Sequence, residues 1–387
     1  MDCLKTKKIA LFFTTGISIK IWEEVGNLER EIKPYIKLAE NYAEVIFFTY
    51  GDKEDEEILK KYTDKIKVCY KKNNINNKIY SFLLPFFYRK ELKNIDIYKT
   101  NQMSGAWAAL IAKKLYKKKL LVRCGYEWFD FLKRNNKNKL ILFLAKKIEK
   151  FIYKRADQII ITSKKDKEFI IDNFKIKEEK IEVINNYIDI NKFKKEENKL
   201  DKSTQGGSDS VGKNKLVFVG RFNRQKNLFN LLDAVDGLDL ELNLIGGGEL
   251  EKELKLKATN IKIAKINFLG NILNEKLGEE LNKAEIFIFP SLYEGNPKAL
   301  LEAMSSGLAI LTTNVKGIKE IINHKENGFL VDIDSDSIKK GLIELLGDEE
   351  LKIKISKNAR KTIEDKFSFE KIINKELNLH KKLVCQN

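Results

Sequence analysis

The chain has 387 residues, 43% of them hydrophobic and 33% charged, with a formal net charge of +17. That length predicts two domains of roughly 150 to 200 residues, and the lysine-borne charge favours anionic partners, either phosphates or an acidic membrane face. Only two histidines argue against a His-rich metal centre, no zinc spacing or aromatic RNA-binding set supports nucleic acid, and no stretch approaches the roughly 20 apolar residues of a membrane span.

The first apolar run, 8–13, is strand-sized and follows a basic start, too short for a signal peptide. Further strand-length runs fall at 44–50, 65–70, 95–100, 119–124, 158–162 and 180–184, separated by amphipathic segments such as 22–41, 105–116 and 164–174. Strands alternating with helical periods predict a parallel sheet wrapped by helices. Within this half, SFLLPFFYRK (81–90) and KLILFLAKKIEKFIYKR (139–155) set apolar faces beside cations. Each reads either as packing against the core or as contact with an anionic membrane surface. Four cysteines, Cys3, Cys69, Cys124 and Cys385, lack paired spacing and are read as reduced cytosolic thiols.

A polar, Gly- and Ser-rich stretch, 198–214, predicts a flexible linker after a first domain at 1–197. Gly207 to Lys213 spells the skeleton of a P-loop. Asn214 stands where Ser or Thr is needed, however, and no strand or helix flanks it. The alternation then restarts at 215–220, 240–246, 265–270, 286–290, 308–313 and 328–331, predicting a second α/β domain over 215–366. The acidic run 331–337 lacks the glycine and glutamate of a calcium loop and reads as helix capping, so no metal site is expected. Residues 367–387 are expected to form a helix that returns to the first domain.

Three loops of the second half carry chemistry. In VGRFNRQKN (219–227), Arg221 and Lys226 follow a strand and Asn227 opens the next helix. Cations there suit phosphate, each charge-assisted hydrogen bond contributing about 1.5 to 3 kcal/mol; Arg224 is a weaker third candidate. Gly246, Gly247 and Gly248 follow the next strand, either to admit a ligand to the backbone or simply to make the turn. IFIFP (286–290) and SLYEGNPKALLEAMSSG (291–307) read as strand, tight loop and helix. Asn296 is expected to cap that helix, Pro297 to occupy its first position and Gly307 to end it. The first turn, from Asn296 through Pro297 and Lys298 to Ala299, then offers unpaired N–H groups to a diphosphate. Glu294 at the strand rim suits sugar hydroxyls, and Glu302 inside the helix suits ribose hydroxyls. The plain alternative is that both glutamates are solvated surface charges. Glu320, in NVKGIKEII, is either a donor contact or a helix cap.

Together VGRFNRQKN, NFLGN, IFIFPSLYEGNPKALLEAMSSG, TTNVKGIKEII and NGFLV resemble glycosyltransferase family 4, in the family's order and across nearly the whole second domain. The resemblance implies the GT-B fold: two Rossmann-like α/β domains with parallel sheets, facing each other across a cleft. It also implies a retaining, metal-independent enzyme with no resident cofactor and a nucleotide-diphosphate sugar as co-substrate. Arg221 and Lys226 would hold the diphosphate and Glu302 the ribose. Glu294 would contact the transferred sugar and stabilise an oxocarbenium-like transition state. Gly246, Gly248, Asn296, Pro297, Lys298 and Ala299 would complete the donor site. The leaving diphosphate would take the acceptor's proton on the same face.

This chain reads EGNPK where the family often has EGFG, and it lacks the His-Asp pair frequent in the first domain. VRCGYEW stands there instead, with Arg123, Tyr126 and Glu127 as candidate replacements. Gly16 and Gly26 resemble the loop that backs the donor phosphate, although Gly26 reads equally as a helix interruption. The acceptor is expected to be a glycan or lipid-linked, meeting the first domain, in cell-surface polysaccharide or glycolipid synthesis. The expected place is the cytoplasm, peripheral at the inner membrane face. Two other readings are open: a nucleotide-sugar-binding accessory subunit that has lost catalysis, and an epimerase on the same scaffold.

Overall fold

The computed structural model describes residues 2–125, 127–134, 137–195 and 214–385. The chain forms two compact units, Met1–Asn185 with Ile373–Asn387, and Asn186–Ile372.

The first unit is built on seven strands, β1 (Lys8–Phe12), β2 (Glu44–Phe48), β3 (Ile66–Cys69), β4 (Ile97–Thr100), β5 (Lys119–Arg123), β6 (Gln158–Ile161) and β7 (Ile181–Val183). They pair in parallel in the order β3-β2-β1-β4-β5-β6-β7. Beyond their first residues β1 and β2 are buried throughout. That follows from a parallel sheet covered by helices on both faces, which needs continuous apolar strands rather than alternating ones. The expected segment 22–41 is two helices, Ile19–Glu24 and Leu28–Ala39. Gly26, at φ +67°, separates them, so the helix-interruption reading describes it.

The second unit holds β8 (Asn214–Val219), β9 (Leu240–Ile245), β10 (Lys265–Gly270), β11 (Ile286–Phe289), β12 (Ala309–Thr313) and β13 (Phe329–Val331). Their order is β10-β9-β8-β11-β12-β13, again parallel. The order reverses between β8 and β11, and in open α/β sheets ligands bind at the carboxyl ends of strands beside such a switch. Asn214 of the expected linker opens β8, while 198–213, including the P-loop skeleton, lie outside the described residues. Asp334 accepts from the Ser337 N–H at 2.8 Å and caps helix Ser335–Gly347, as the capping reading of 331–337 requires.

The chain leaves the first unit after Asn185, earlier than the expected 197. The residues that follow are already second-unit structure: Ile188 bridges Ser368, and the Arg360 guanidinium donates to the carbonyls of Phe193 and Ile190. The last helix, Phe369–Val384, starts in the second unit, and from Ile373 it belongs to the first.

That helix overturns the reading of four free thiols. Cys3 and Cys385 form a disulfide with their Cα atoms 6.1 Å apart, leaving Cys69 and Cys124 as buried thiols outside any disulfide. Sequence separation concealed the pairing. Lys381 pairs with Asp2 at 2.9 Å, and Glu376 accepts from buried Lys99 of β4, so the last helix carries Cys385 to the first turn of the chain.

Among the described residues no helix is long and apolar enough to cross a membrane. Segment 81–90 lies mostly in helix Asn77–Phe87, which leaves Ile79, Phe82, Phe86 and Phe87 exposed. Helix Lys139–Arg155 buries Ala145, Glu149, Ile152 and Tyr153 but exposes Leu140, Ile141, Phe143 and Leu144. Core packing therefore explains one face of each helix and not the other.

Candidate active site

At the carboxyl end of β8 the chain turns out of the sheet through Gly220 to Asn227, with Arg221 exposed. The loop after β9 presses on this turn. A Cβ on Gly246 (φ +129°) would stand 2.0 Å from the Gly220 carbonyl oxygen, and one on Gly248 would stand 2.5 Å from that of Phe222. Only glycine allows that approach. The immediate neighbours of Gly246 and Gly248 are therefore the backbone that carries Arg221.

Lys226 ends the short 3-10 turn Arg224–Lys226, and Asn227 follows in the left-handed region at φ +56°, a conformation Asn tolerates better than most residues. This bend lays the Lys226 ammonium over the Phe289 ring of β11, 4.6 Å from its centre. It also brings it to 2.5 Å from the Glu294 carboxylate. The two loops are stitched together beside this pair: Gln225 Nε2 donates to the Tyr293 carbonyl and the Leu292 N–H donates to the Gln225 carbonyl, both at 2.8 Å.

Glu294 is 7% exposed and Glu302 only 4%, so neither is a solvated surface charge. Glu302, inside helix Lys298–Ser305, receives a long 3.4 Å hydrogen bond from Asn274. That helix starts one residue later than expected. Pro297, with extended ψ of 119°, takes the N-cap place without a side-chain bond, and Lys298 is the first helical residue. Asn296 is correspondingly not the cap: its Oδ1 accepts from the Asn186 N–H at 2.8 Å and its carbonyl from Asn186 Nδ2 at 2.7 Å. Lys298 and Ala299, both half-buried, form the first turn, at the positive end of the helix dipole. Gly307, at φ +71°, ends it.

Gly317 belongs to this site and was not singled out from the sequence. It lies on helix Lys316–Lys319 after β12, where a Cβ would stand 2.2 Å from the Glu294 carbonyl oxygen. A glycine opening a helix directly after a strand was the available sign of close backbone approach. Glu320, exposed, is the C-cap just past the end of that helix and not an N-terminal cap.

In the first unit, Gly16 lies in the turn after β1 at φ +84°. Arg123, at the end of β5, does not stand as an open replacement for the missing pair: its guanidinium is 3.5 Å from Glu376 on the last helix. Burial pushes Glu376 up, but Lys99, His380 and Arg123 beside it outweigh this and hold it at about 2. Burial takes the His380 imidazole down to about 4 against the pull of Glu376. Glu127 is buried, accepting from the Tyr153 hydroxyl at 2.8 and 3.0 Å, and burial raises its pKa well above the usual range. Tyr126 lies outside the described residues.

Residues 201–362 match the family described as glycosyl transferases group 1, and residues 36–192 match glycosyltransferase family 4. The chain is 32% identical to the UDP-Gal:α-D-GlcNAc-diphosphoundecaprenol α-1,3-galactosyltransferase of Escherichia coli, over 66% of this chain and 67% of that one. It is 30% identical to the N-acetylgalactosamine-N,N'-diacetylbacillosaminyl-diphospho-undecaprenol 4-α-N-acetylgalactosaminyltransferase of Campylobacter jejuni, over 90% of this chain and 94% of that one. Its fold is similar to that of the Anabaena protein HepE in complex with UDP, with a TM-score of 0.76 at 17% identity over 98% and 100% of the two chains. With two parallel-sheet α/β units and both family matches, the chain belongs to the family 4, group 1 glycosyltransferases of GT-B fold.

Proposed function

We propose that the enzyme is a retaining transferase that moves a sugar from a nucleotide-diphosphate donor to a lipid-linked or other glycan acceptor, in polysaccharide or glycolipid synthesis. The observation that supports this best is the Lys226–Glu294 pair at the joint rim of β8 and β11, the strands flanking the switch point. Both relatives are named for α-linked transfer to a diphospho-undecaprenol acceptor. This favours retention here, an acceptor of lipid diphosphate type, and work at the inner membrane face.

In this reading the donor diphosphate lies between Arg221, Lys226 and the first turn at Lys298 and Ala299, where amide N–H groups and the helix dipole favour anions. Its oxygens compete with Glu294 for the Lys226 ammonium. Donor arrival thus hands Lys226 to phosphate and leaves the Glu294 carboxylate for the sugar hydroxyls. Glu302 accepts from the ribose hydroxyls. As the bond from the anomeric carbon to the phosphate oxygen breaks, positive charge grows on the sugar ring and negative charge on the diphosphate. Arg221 and Lys226 neutralise the second, and Glu294 the first. The acceptor oxygen then bonds to the anomeric carbon on the face the diphosphate leaves, and its proton passes to a diphosphate oxygen. No metal or resident cofactor enters this scheme.

The test supplies purified enzyme with a panel of nucleotide-sugars and a sugar-bearing lipid diphosphate. It measures nucleoside diphosphate release and the anomeric configuration of the product. Transfer with retention, abolished in Glu294→Ala, is expected. An isomerised donor would establish an epimerase instead, and donor binding without release by the parent enzyme an accessory subunit.

A further inference from the structure

Building on the lipid-linked acceptor above, we propose that a cavity in the first unit holds the leading part of the acceptor's hydrocarbon chain, with Lys78 facing its anionic head. The cavity has a volume of about 390 Å³, inside the range of roughly 300–1,000 Å³ usual for small-molecule sites. Phe82, Met103, Trp107, Trp128, Ile148 and Ile152 supply its apolar walls. Two of the polar groups on the lining are engaged elsewhere, and a third, the Ser81 hydroxyl, is buried without a hydrogen-bond partner. The Thr15 hydroxyl donates to the Ser104 carbonyl at 2.6 Å, and Gln102 Oε1 accepts from the Gly125 N–H at 2.9 Å. A sugar bound there would find few partners for its hydroxyls, whereas a hydrocarbon needs none.

One wall is held in place from behind. Glu149, buried on helix Lys139–Arg155, accepts from the N–H groups of Trp128 and Phe129 at 2.7 and 3.1 Å and so fixes the start of helix Trp128–Arg134. Burial lifts its pKa to about 7. Trp107 lies between Phe82 and Phe151, at 6.3 Å from each ring centre.

The cavity wall also runs into surface. Phe82 lines the cavity yet is 52% exposed, and Ile79 and Phe86 on the same helix are more exposed still. The facing supply of cations is local. Lys78 lies on the lining and is exposed, and Lys147 and Arg155 cover the Phe143 and Phe151 rings at 4.4 and 3.6 Å. Apolar wall, exposed apolar rim and flanking cations match one chemistry, a hydrocarbon chain ending in phosphate.

The experiment uses the full chain and farnesyl diphosphate as probe, with inorganic diphosphate as the control, both titrated by calorimetry. Farnesyl diphosphate is expected to bind at least tenfold tighter than inorganic diphosphate. Ile148→Phe, which fills part of the cavity, should weaken it about tenfold, with circular dichroism reporting whether the variant folds. Should it not fold, Phe82→Ala at the exposed rim replaces it, with a loss of several-fold expected. Equal binding of the two probes, or parent-like farnesyl diphosphate binding in the folded variant, overturns the proposal. Binding needs no donor, so absence of sugar transfer would sink the transferase reading alone. Transfer with no hydrocarbon preference would sink only the cavity assignment.

Discussion

Gly317 and Glu294 lie backbone against backbone, such that a single methyl group on Gly317 would stand 2.2 Å from the Glu294 carbonyl oxygen and 2.5 Å from that of Gly295. The position of the Glu294 carboxylate is thereby set from two sides. Lys226 holds its head, and the turn after β12 holds its backbone.

Gly317→Ala is expected to push the Glu294 loop outward. Overpacking of this kind costs roughly 1–3 kcal/mol of stability, and a shift of about 1 Å at a reacting group can cost about a hundredfold in rate. Steady-state transfer kinetics should show kcat falling well before donor affinity does. Parent-like kcat in a normally folded variant would show that the loop is placed by other contacts.

Lys226→Ala should lower donor use by ten- to a hundredfold, the equivalent of about 1.5 to 3 kcal/mol for a charge-assisted bond to phosphate. Glu294→Gln, which keeps the shape and removes the charge, should reduce kcat by about 10² to 10³. Because the two side chains are in contact, the double variant should lose less than the product of the single losses. Simple multiplication in a double-mutant cycle would mean that the pair does not act as a unit.

The buried group on the last helix predicts acid sensitivity. The His380 pKa is about 4, below its ordinary 6.5, so the native state takes up this proton less readily than the unfolded chain. Its contribution is complete above pH 6.5 and is lost as pH falls from there towards 4, a change of about 3 kcal/mol. Glu376, at about 2 against an ordinary 4.5, acts in the same direction over a lower window. Its share is complete above pH 4.5 and is lost as pH falls through about 2. Melting temperature should therefore fall steadily on acidification below pH 6.5. His380→Phe, which retains a ring against Tyr42, should flatten the limb between 6.5 and 4. An unchanged slope would remove His380 from the account.

Thiol counting of the oxidised, denatured protein should find two reactive groups, Cys69 and Cys124, and four after reduction. Removing a disulfide typically costs about 2–4 kcal/mol, so Cys3→Ser should lower the melting temperature by several degrees. Activity at 25 °C should change little, because neither cysteine touches the candidate site residues. Four reactive groups without reductant would refute the bridge.

Much of this architecture was written locally. IFIFP contains β11 because a parallel strand buried on both faces needs an unbroken apolar run, and the Gly- and cap-rich sequence after it marks the following helix. Lys226, Glu294 and Glu302 were legible as residue types at fixed spacings. What the sequence concealed were partnerships across long stretches of chain. Asn296 has the composition of a helix cap, but an asparagine 110 residues away claims its side chain. Arg123 looked like a site cation, and only the fold brings Glu376 to it. Cys3 and Cys385 had no local pattern to betray them. Each local preference was overridden by a contact that exists only once the sheets have formed.

The last helix makes the second unit an insertion: the first unit is interrupted at Asn185 and resumes at Ile373. Residues 186–372 are one contiguous stretch that carries its own core. The earlier stretch must wait, with Lys99 lacking the carboxylate that Glu376 will bring. Purified chains truncated after Ile372 should accordingly resist protease in their later half and be cut in their earlier one. The part of the enzyme that is made first is finished last.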